Sequence, residues 1–154
     1  MPIVLDLSPL KGVKVKNRNL NHSDHWATPK DFYEELNKEF GFDFDPCPLH
    51  ADFDGLTIEW GQKNFINPPY SRQLKEAFVK KAVEQAQQGK LCVCLLPVST
   101  STALFHDVIQ PNADEIRFVR KRIKFAGINT KGVKVTKSNG MHDSMIVVFR
   151  GKNV

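Results

Sequence analysis

The stretch Phe65-Ile66-Asn67-Pro68-Pro69-Tyr70-Ser71 sets a carboxamide, two prolines and an aromatic ring where an apolar strand must stop. These groups suit a flat substrate that carries an NH2 group. The amine of a nucleobase is a weak nucleophile, because its lone pair is delocalised into the ring. A site that accepts both amine hydrogens pulls the nitrogen toward a tetrahedral shape and aims the lone pair at an electrophile. Asn67 offers a carboxamide oxygen for this and Pro68 a backbone carbonyl. Successive prolines have fixed φ and no N–H, so the acceptors are held in place before reaction. Tyr70 offers a face for base stacking, worth ~1–3 kcal/mol in comparable systems. The same residues would also make an ordinary turn with a surface aromatic. Their place after an apolar strand and before an amphipathic helix favours chemistry.

The elements around this corner follow from local pattern. Thr28 reads as an N-cap with Pro29 at the first helical position, opening a helix that runs to Phe40 and stops at Gly41. Phe32, Leu36 and Phe40 give it one apolar face. Phe42–Asp45 alternates like a short strand that Pro46 ends, and 46–62 reads as a long loop. Asn64–Asn67 is the strand before the corner, and Arg72–Gln88 is a second helix closed by Gly89. Leu91–Pro97 is apolar throughout, as a strand covered on both faces should be. A third helix is expected over Thr100–Ile109. Strand segments are expected over Glu115–Arg120 and Arg122–Phe125, a hairpin arm over Lys131–Lys137, and a last buried strand over Ser144–Phe149. Alternating strands and helices predict an α/β fold with a mostly parallel sheet. The final strands, joined without a helix, predict an antiparallel C-terminal edge strand.

With 154 residues the chain fits one domain, expected over 25–154 after a flexible arm at 1–24. No apolar run is long enough to span a bilayer, and the acidic, short N-terminal stretch does not fit a secretory signal, so a cytoplasmic protein is expected. Cys47, Cys92 and Cys94 are read as free thiols in a reducing compartment, and no spacing fits a metal site. The net charge of +5 is unevenly placed. Residues 31–59 are acidic with Lys38 as the lone base. Arg117, Arg120, Lys121, Arg122, Lys124, Lys131, Lys134 and Lys137 share a stretch without an acid. Such a run suits a polyphosphate partner, or a solvated strand face.

Asn-Pro-Pro-Tyr after a strand is the signature of S-adenosylmethionine-dependent amino-methyltransferases. Over roughly residues 25–150 the chain resembles the short phage-type, Dam-like DNA N6-adenine methyltransferases. The resemblance is carried by Trp26-Ala27-Thr28-Pro29, Phe44-Asp45-Pro46-Cys47, Trp60, Asn67–Ser71, Leu95-Leu96-Pro97, Arg122-Ile123-Lys124-Phe125 and the closing strand. It implies a compact, truncated Rossmann-like methyltransferase sheet. It also implies methyl transfer from S-adenosylmethionine to the N6 amine of an adenine flipped out of duplex DNA.

The implied roles follow motif by motif. Asn67, Pro68, Pro69 and Tyr70 would be catalytic. Trp26, Thr28, Pro29, Asp45, Pro46, Cys47 and Asn67 would hold the cofactor. Ser71, Arg72, Arg120, Lys121, Arg122 and Lys124 would meet DNA, with Phe125 beside an unstacked base. One departure stands out: the cofactor loop of related enzymes is rich in glycine, whereas here the stretch Pro48–Gly55 after Cys47 holds one, at its end. Asp52, Asp54 and Glu59 are the candidates for the ribose hydroxyls. A decayed DNA- or cofactor-binding protein, or the same chemistry on RNA or a protein glutamine, remain the alternatives.

Overall fold

The computed structural model describes residues 26–128, 134–135 and 142–151. The arm expected at 1–24 and most of the hairpin arm at 131–137 lie outside them. In chain order the elements are β1 (Trp26–Ala27), α1 (Lys30–Phe40), β2 (Lys63–Ile66), α2 (Arg72–Gln87) and β3 (Leu91–Pro97). A π-helical turn (Leu104–Ile109) then runs into α3 (Gln110–Asn112), followed by β4 (Glu115–Phe118), β5 (Ala126–Ile128), β6 (Lys134–Val135) and β7 (Ser144–Phe149).

The central sheet has the order β2-β3-β7-β4. β2 and β3 are parallel, with Phe65 opposite Val93, and α2 makes the crossover between them. β7 is antiparallel to both neighbours, pairing Val93 with Val148 on one side and Arg117 with Ile146 on the other. The antiparallel strand expected from sequence is therefore present, but it is not an edge. It fills the space between β3 and β4, and all six of its residues are buried. A strand apolar on both faces gains most from a central position, flanked by strands and covered above and below. Three strands of the four run one way, yet antiparallel pairings outnumber parallel ones.

Side chains of β7 alternate between two cores, as the pleat requires. Met145, Val147 and Phe149 join Ile66, Phe78 and Ala82 under α2. Ile146 and Val148 join Leu36, Phe40, Phe65 and Val93 under α1. Phe65, Phe78 and Phe149 are among the largest fully buried side chains; each contributes about 1.5–3 kcal/mol by burial.

Several local expectations are revised. α1 ends at Gly41 in the left-handed conformation (φ 68°) as its sequence requires, but its N-cap is Pro29, and no side chain caps it. The Phe42–Asp45 strand shrinks to one parallel bridge, Phe44 to Asn64. Its backbone bonds, Asp43 N–H to Lys63 O (2.8 Å) and Phe65 N–H to Phe44 O (3.0 Å), bring Asp45 alongside β2. The strand expected at Arg122–Phe125 begins later, as β5, and pairs with β1 in a small antiparallel sheet ordered β1-β5-β6.

The loop after Asp45 is pinned from within. A Cβ on Gly55 would stand 1.9 Å from the Pro46 carbonyl oxygen, so only glycine fits there. Trp60 stacks on Phe78 and donates its indole N–H to Gly55 O at 2.7 Å. Lys81 donates to Leu56 O at 3.1 Å. No helix among the described residues is long and apolar enough to cross a membrane.

Candidate active site

Asn67 is the first residue past β2, at the carboxyl end of the parallel strands, where open α/β sheets bind ligands. It is buried, as are Pro68 and Pro69. Its Nδ2 donates to the Trp26 carbonyl (2.7 Å) and to Thr28 Oγ1 (3.0 Å). Both amide hydrogens are thus taken by the segment that leads into α1, and the carboxamide is held with Oδ1 turned away from them. The sequence predicts Thr28 as the cap of α1; in the fold its oxygen serves Asn67.

A cavity of about 240 Å³ opens beside this amide. Trp26, Thr28, Asp45, Cys47 and Asn67 line it, five of the seven residues expected to hold a cofactor. Pro29 and Pro46 do not line it. Ala27, Lys30, Tyr33, Pro48, Leu49 and Phe65 complete the wall; Ala27 and Phe65 lie inside the sequence motifs without an assigned role, and the other four lie outside them. Of those four, Tyr33 carries a signal: it lies one residue off the α1 apolar stripe. It meets Phe65 edge-on at 5.1 Å. Asp52, Asp54 and Glu59 do not line the cavity; Glu59 instead binds Lys90 at 2.8 Å.

Asp45 supplies the charge. Its Oδ1 accepts the Cys47 N–H at 2.8 Å, yet burial dominates and pushes its carboxyl up to about 6. The Tyr33 phenol, which lines the same cavity, is raised by its own burial first and by Asp45 second. A half-buried carboxylate beside aromatic rings is a ready partner for a cationic ligand.

Tyr70 lies outside this cavity. Its ring meets Phe125 and His142 edge-on, each at 6.0 Å, and burial pushes its phenol up to about 12. Phe125 is buried, so it backs Tyr70 rather than standing free for a base. Around it the chain alternates: Ile123 and Phe125 point in, while Arg120, Lys121, Arg122 and Lys124 are exposed. Lys121 turns the chain in a left-handed conformation (φ 66°). Arg122 reaches Asp143 at 3.3 Å.

Arg117, part of the basic run in sequence, has another task. It binds Glu39 and Glu115 and lies over the Phe40 ring, fastening β4 to the end of α1. Arg72 lines a second cavity of about 380 Å³ with Lys75, Glu76, Thr102, Ala103 and Leu104. Ser71, at the N-cap of α2, makes no capping bond with its side chain.

Comparison with known proteins bears on this arrangement. A profile of the family described as DNA N-6-adenine-methyltransferase (Dam) matches residues 16–153. The chain is also similar to a protein named DNA N-6-adenine-methyltransferase from Escherichia phage T1, with 33% identity over 109 residues. That match takes in 62% of this chain and spans 44% of the length of the phage T1 protein.

Proposed function

The chain belongs to the DNA N-6-adenine-methyltransferase (Dam) family, and on that premise we propose that it transfers a methyl group from S-adenosylmethionine to the exocyclic N6 amine of adenine in DNA. The reading rests on the Asn67 carboxamide, whose NH2 end is occupied by Trp26 and Thr28 at the wall of a cavity that also holds Asp45. An oxygen fixed in that way is the acceptor an amine nucleophile needs.

The residues fit the cofactor. The cavity combines a desolvated carboxylate, aromatic walls and the start of α1, groups that suit an ammonium, a cationic sulfur and a carboxylate respectively. Trp26, Thr28, Asp45 and Cys47 would hold it, with Pro29 and Pro46 fixing the backbone on either side. When bound, S-adenosylmethionine supplies a methyl carbon on a positively charged sulfur.

The chain's own groups do the rest. Asn67 Oδ1 and the Pro68 carbonyl accept the two amine hydrogens, and Pro69 keeps that turn stiff. Tyr70, braced by Phe125 and His142, stacks on the flipped base. Held by Asn67 and Pro68, the adenine nitrogen would form its bond to that methyl carbon as the carbon–sulfur bond breaks, the bonding pair leaving with sulfur. The surplus proton leaves to water, since a neutral carboxamide is no base.

Ser71, Arg72, Arg120, Lys121, Arg122 and Lys124 would meet the DNA backbone. The exposure of the last four on one turn supports this. A β7 strand set between strands of the opposite direction, with α1 and α2 on opposite faces, supports a truncated Rossmann-like methyltransferase sheet. The reaction would take place in the cytoplasm, where DNA and cofactor meet.

The test is incubation with methyl-labelled S-adenosylmethionine and, separately, unmethylated duplex DNA, RNA and a cell extract, followed by mapping of methylated adenine. Label in duplex adenine is the expected result. Label in RNA or protein would move the chemistry to another amine. Tight cofactor binding without transfer would leave a binding protein with a decayed site.

A further inference from the structure

A carboxamide has two faces of nearly equal shape and opposite function. Turned end for end, Asn67 would point two N–H donors at an amine that itself donates, and the site would repel its substrate. The orientation is therefore decided by what stands behind the side chain. Behind Asn67 stand the Trp26 carbonyl at 2.7 Å and Thr28 Oγ1 at 3.0 Å. The carbonyl can only accept, so it disfavours the reversed amide. The hydroxyl could pair with either end, but while Oγ1 accepts from Nδ2 it adds the second acceptor that occupies both hydrogens. Thr28 is free for this task because the α1 N-cap is Pro29 and no side chain caps that helix. Its neighbours are anchored in turn: Trp26 pairs with Gly127 and Ala27 with Ala126 through β1 and β5.

We propose that Thr28 is a positioning residue for methyl transfer, its side-chain oxygen acting with the Trp26 carbonyl to hold Asn67 with Oδ1, and not Nδ2, toward the substrate amine. This rests on the methyltransferase reading above and gives Thr28 a role apart from contact with the cofactor. Threonine and serine can hold the amide; valine, of the same shape, cannot.

Thr28→Val and Thr28→Ser are compared with the unaltered protein in single-turnover methyl transfer to unmethylated duplex DNA at saturating S-adenosylmethionine. Cofactor affinity is measured by calorimetry and folding by thermal melting. Thr28→Val should slow the chemical step about tenfold, the weight of one oriented hydrogen bond. Thr28→Ser should stay within about twofold of the unaltered rate. Hydrogen exchange of the Asn67 side-chain amide, assigned by its loss in Asn67→Ala, supplies a readout independent of turnover. It should be slow in the unaltered and Ser proteins and about tenfold faster in the Val protein.

An unchanged rate in Thr28→Val, equal loss in Val and Ser, or a loss confined to cofactor affinity would overturn the positioning role while transfer by the unaltered protein upheld the function. No transfer by the unaltered protein would overturn both.

Discussion

Two buried polar clusters sit at opposite ends of the same sheet, and they are built to opposite ends. At the start of β3, Lys90 meets Glu59 (2.8 Å), the Trp60 carbonyl (3.0 Å) and Gln85 Oε1, which also takes the Trp60 N–H (3.2 Å). Its charge and its hydrogens are matched by groups of the same chain, though Gln85 Nε2 is left buried without a partner. At the end of β2, the donors of Asn67 are matched, while the half-buried Asp45 faces the cavity with the Cys47 N–H as a hydrogen-bond donor. The first cluster closes a loop onto the core. The second keeps oxygen atoms in reserve beside a cavity. Burial of polar groups is costly in both, and the difference in how it is compensated is what the proposed function reads as framework on one side and chemistry on the other.

The sharpest way to test that contrast is to strike each cluster in turn. Asn67→Ala should reduce methyl transfer by at least about 100-fold in single-turnover assays, as loss of a preorganised hydrogen-bonding group does, while urea denaturation shows a loss of only about 1–2 kcal/mol. Lys90→Met should reverse the pattern. It orphans the Trp60 carbonyl and takes one of two donors from Gln85 Oε1, lowering stability by about 2–4 kcal/mol in the same titration, with the rate per folded molecule unchanged. Gly55→Ala joins the two ends. Its added methyl would press on Pro46, costing about 1–3 kcal/mol by overpacking and weakening cofactor binding measured by calorimetry.

Asp45 gives a subtler outcome. Its folded carboxyl titrates near 6, above the ordinary value of 3.8. In that window the folded state binds a proton that the unfolded state has released. Lowering the pH through it therefore favours folding, and the ionised group is a burden above it. Asp45→Asn should raise stability at pH 8 by about 1–2 kcal/mol. Binding of a cationic cofactor runs the other way, weakening in the unaltered protein as pH falls through about 6 and losing that dependence in Asp45→Asn. The smallest effect is expected on the exposed turn. Replacing Arg120 or Lys121 with Gln should lower the salt dependence of DNA binding by about one unit of slope for each phosphate left without its cation.

How much of the molecule is legible in its sequence tracks how local each signal is. β3 and β7 have the expected bounds because continuous apolar runs declare themselves residue by residue. α1 and α2 follow from apolar spacing and closing glycines. The corner at Asn67 is legible because Pro68 and Pro69 can neither extend a strand nor donate to one. The place of β7 is hidden, since a local pattern gives burial and not neighbours. Thr28 misleads because a hydroxyl before Pro29 has the same chemistry whether it caps a helix or receives an amide from Asn67, distant in sequence. Lys81 and Lys90 look like surface charges until the loop they hold is folded over them.

The late position of β7 in the chain has a consequence for biosynthesis. As the polypeptide leaves the ribosome, β3 and β4 emerge before the strand that must lie between them. Until Ser144–Phe149 arrives, the apolar β3 and the mixed β4 expose bare hydrogen-bonding edges facing one another across a gap. The nascent protein is then most prone to pair with a neighbour, and holding chaperones have most to offer it. Translation that stalls just short of those six residues would yield a sticky intermediate in place of a smaller stable domain.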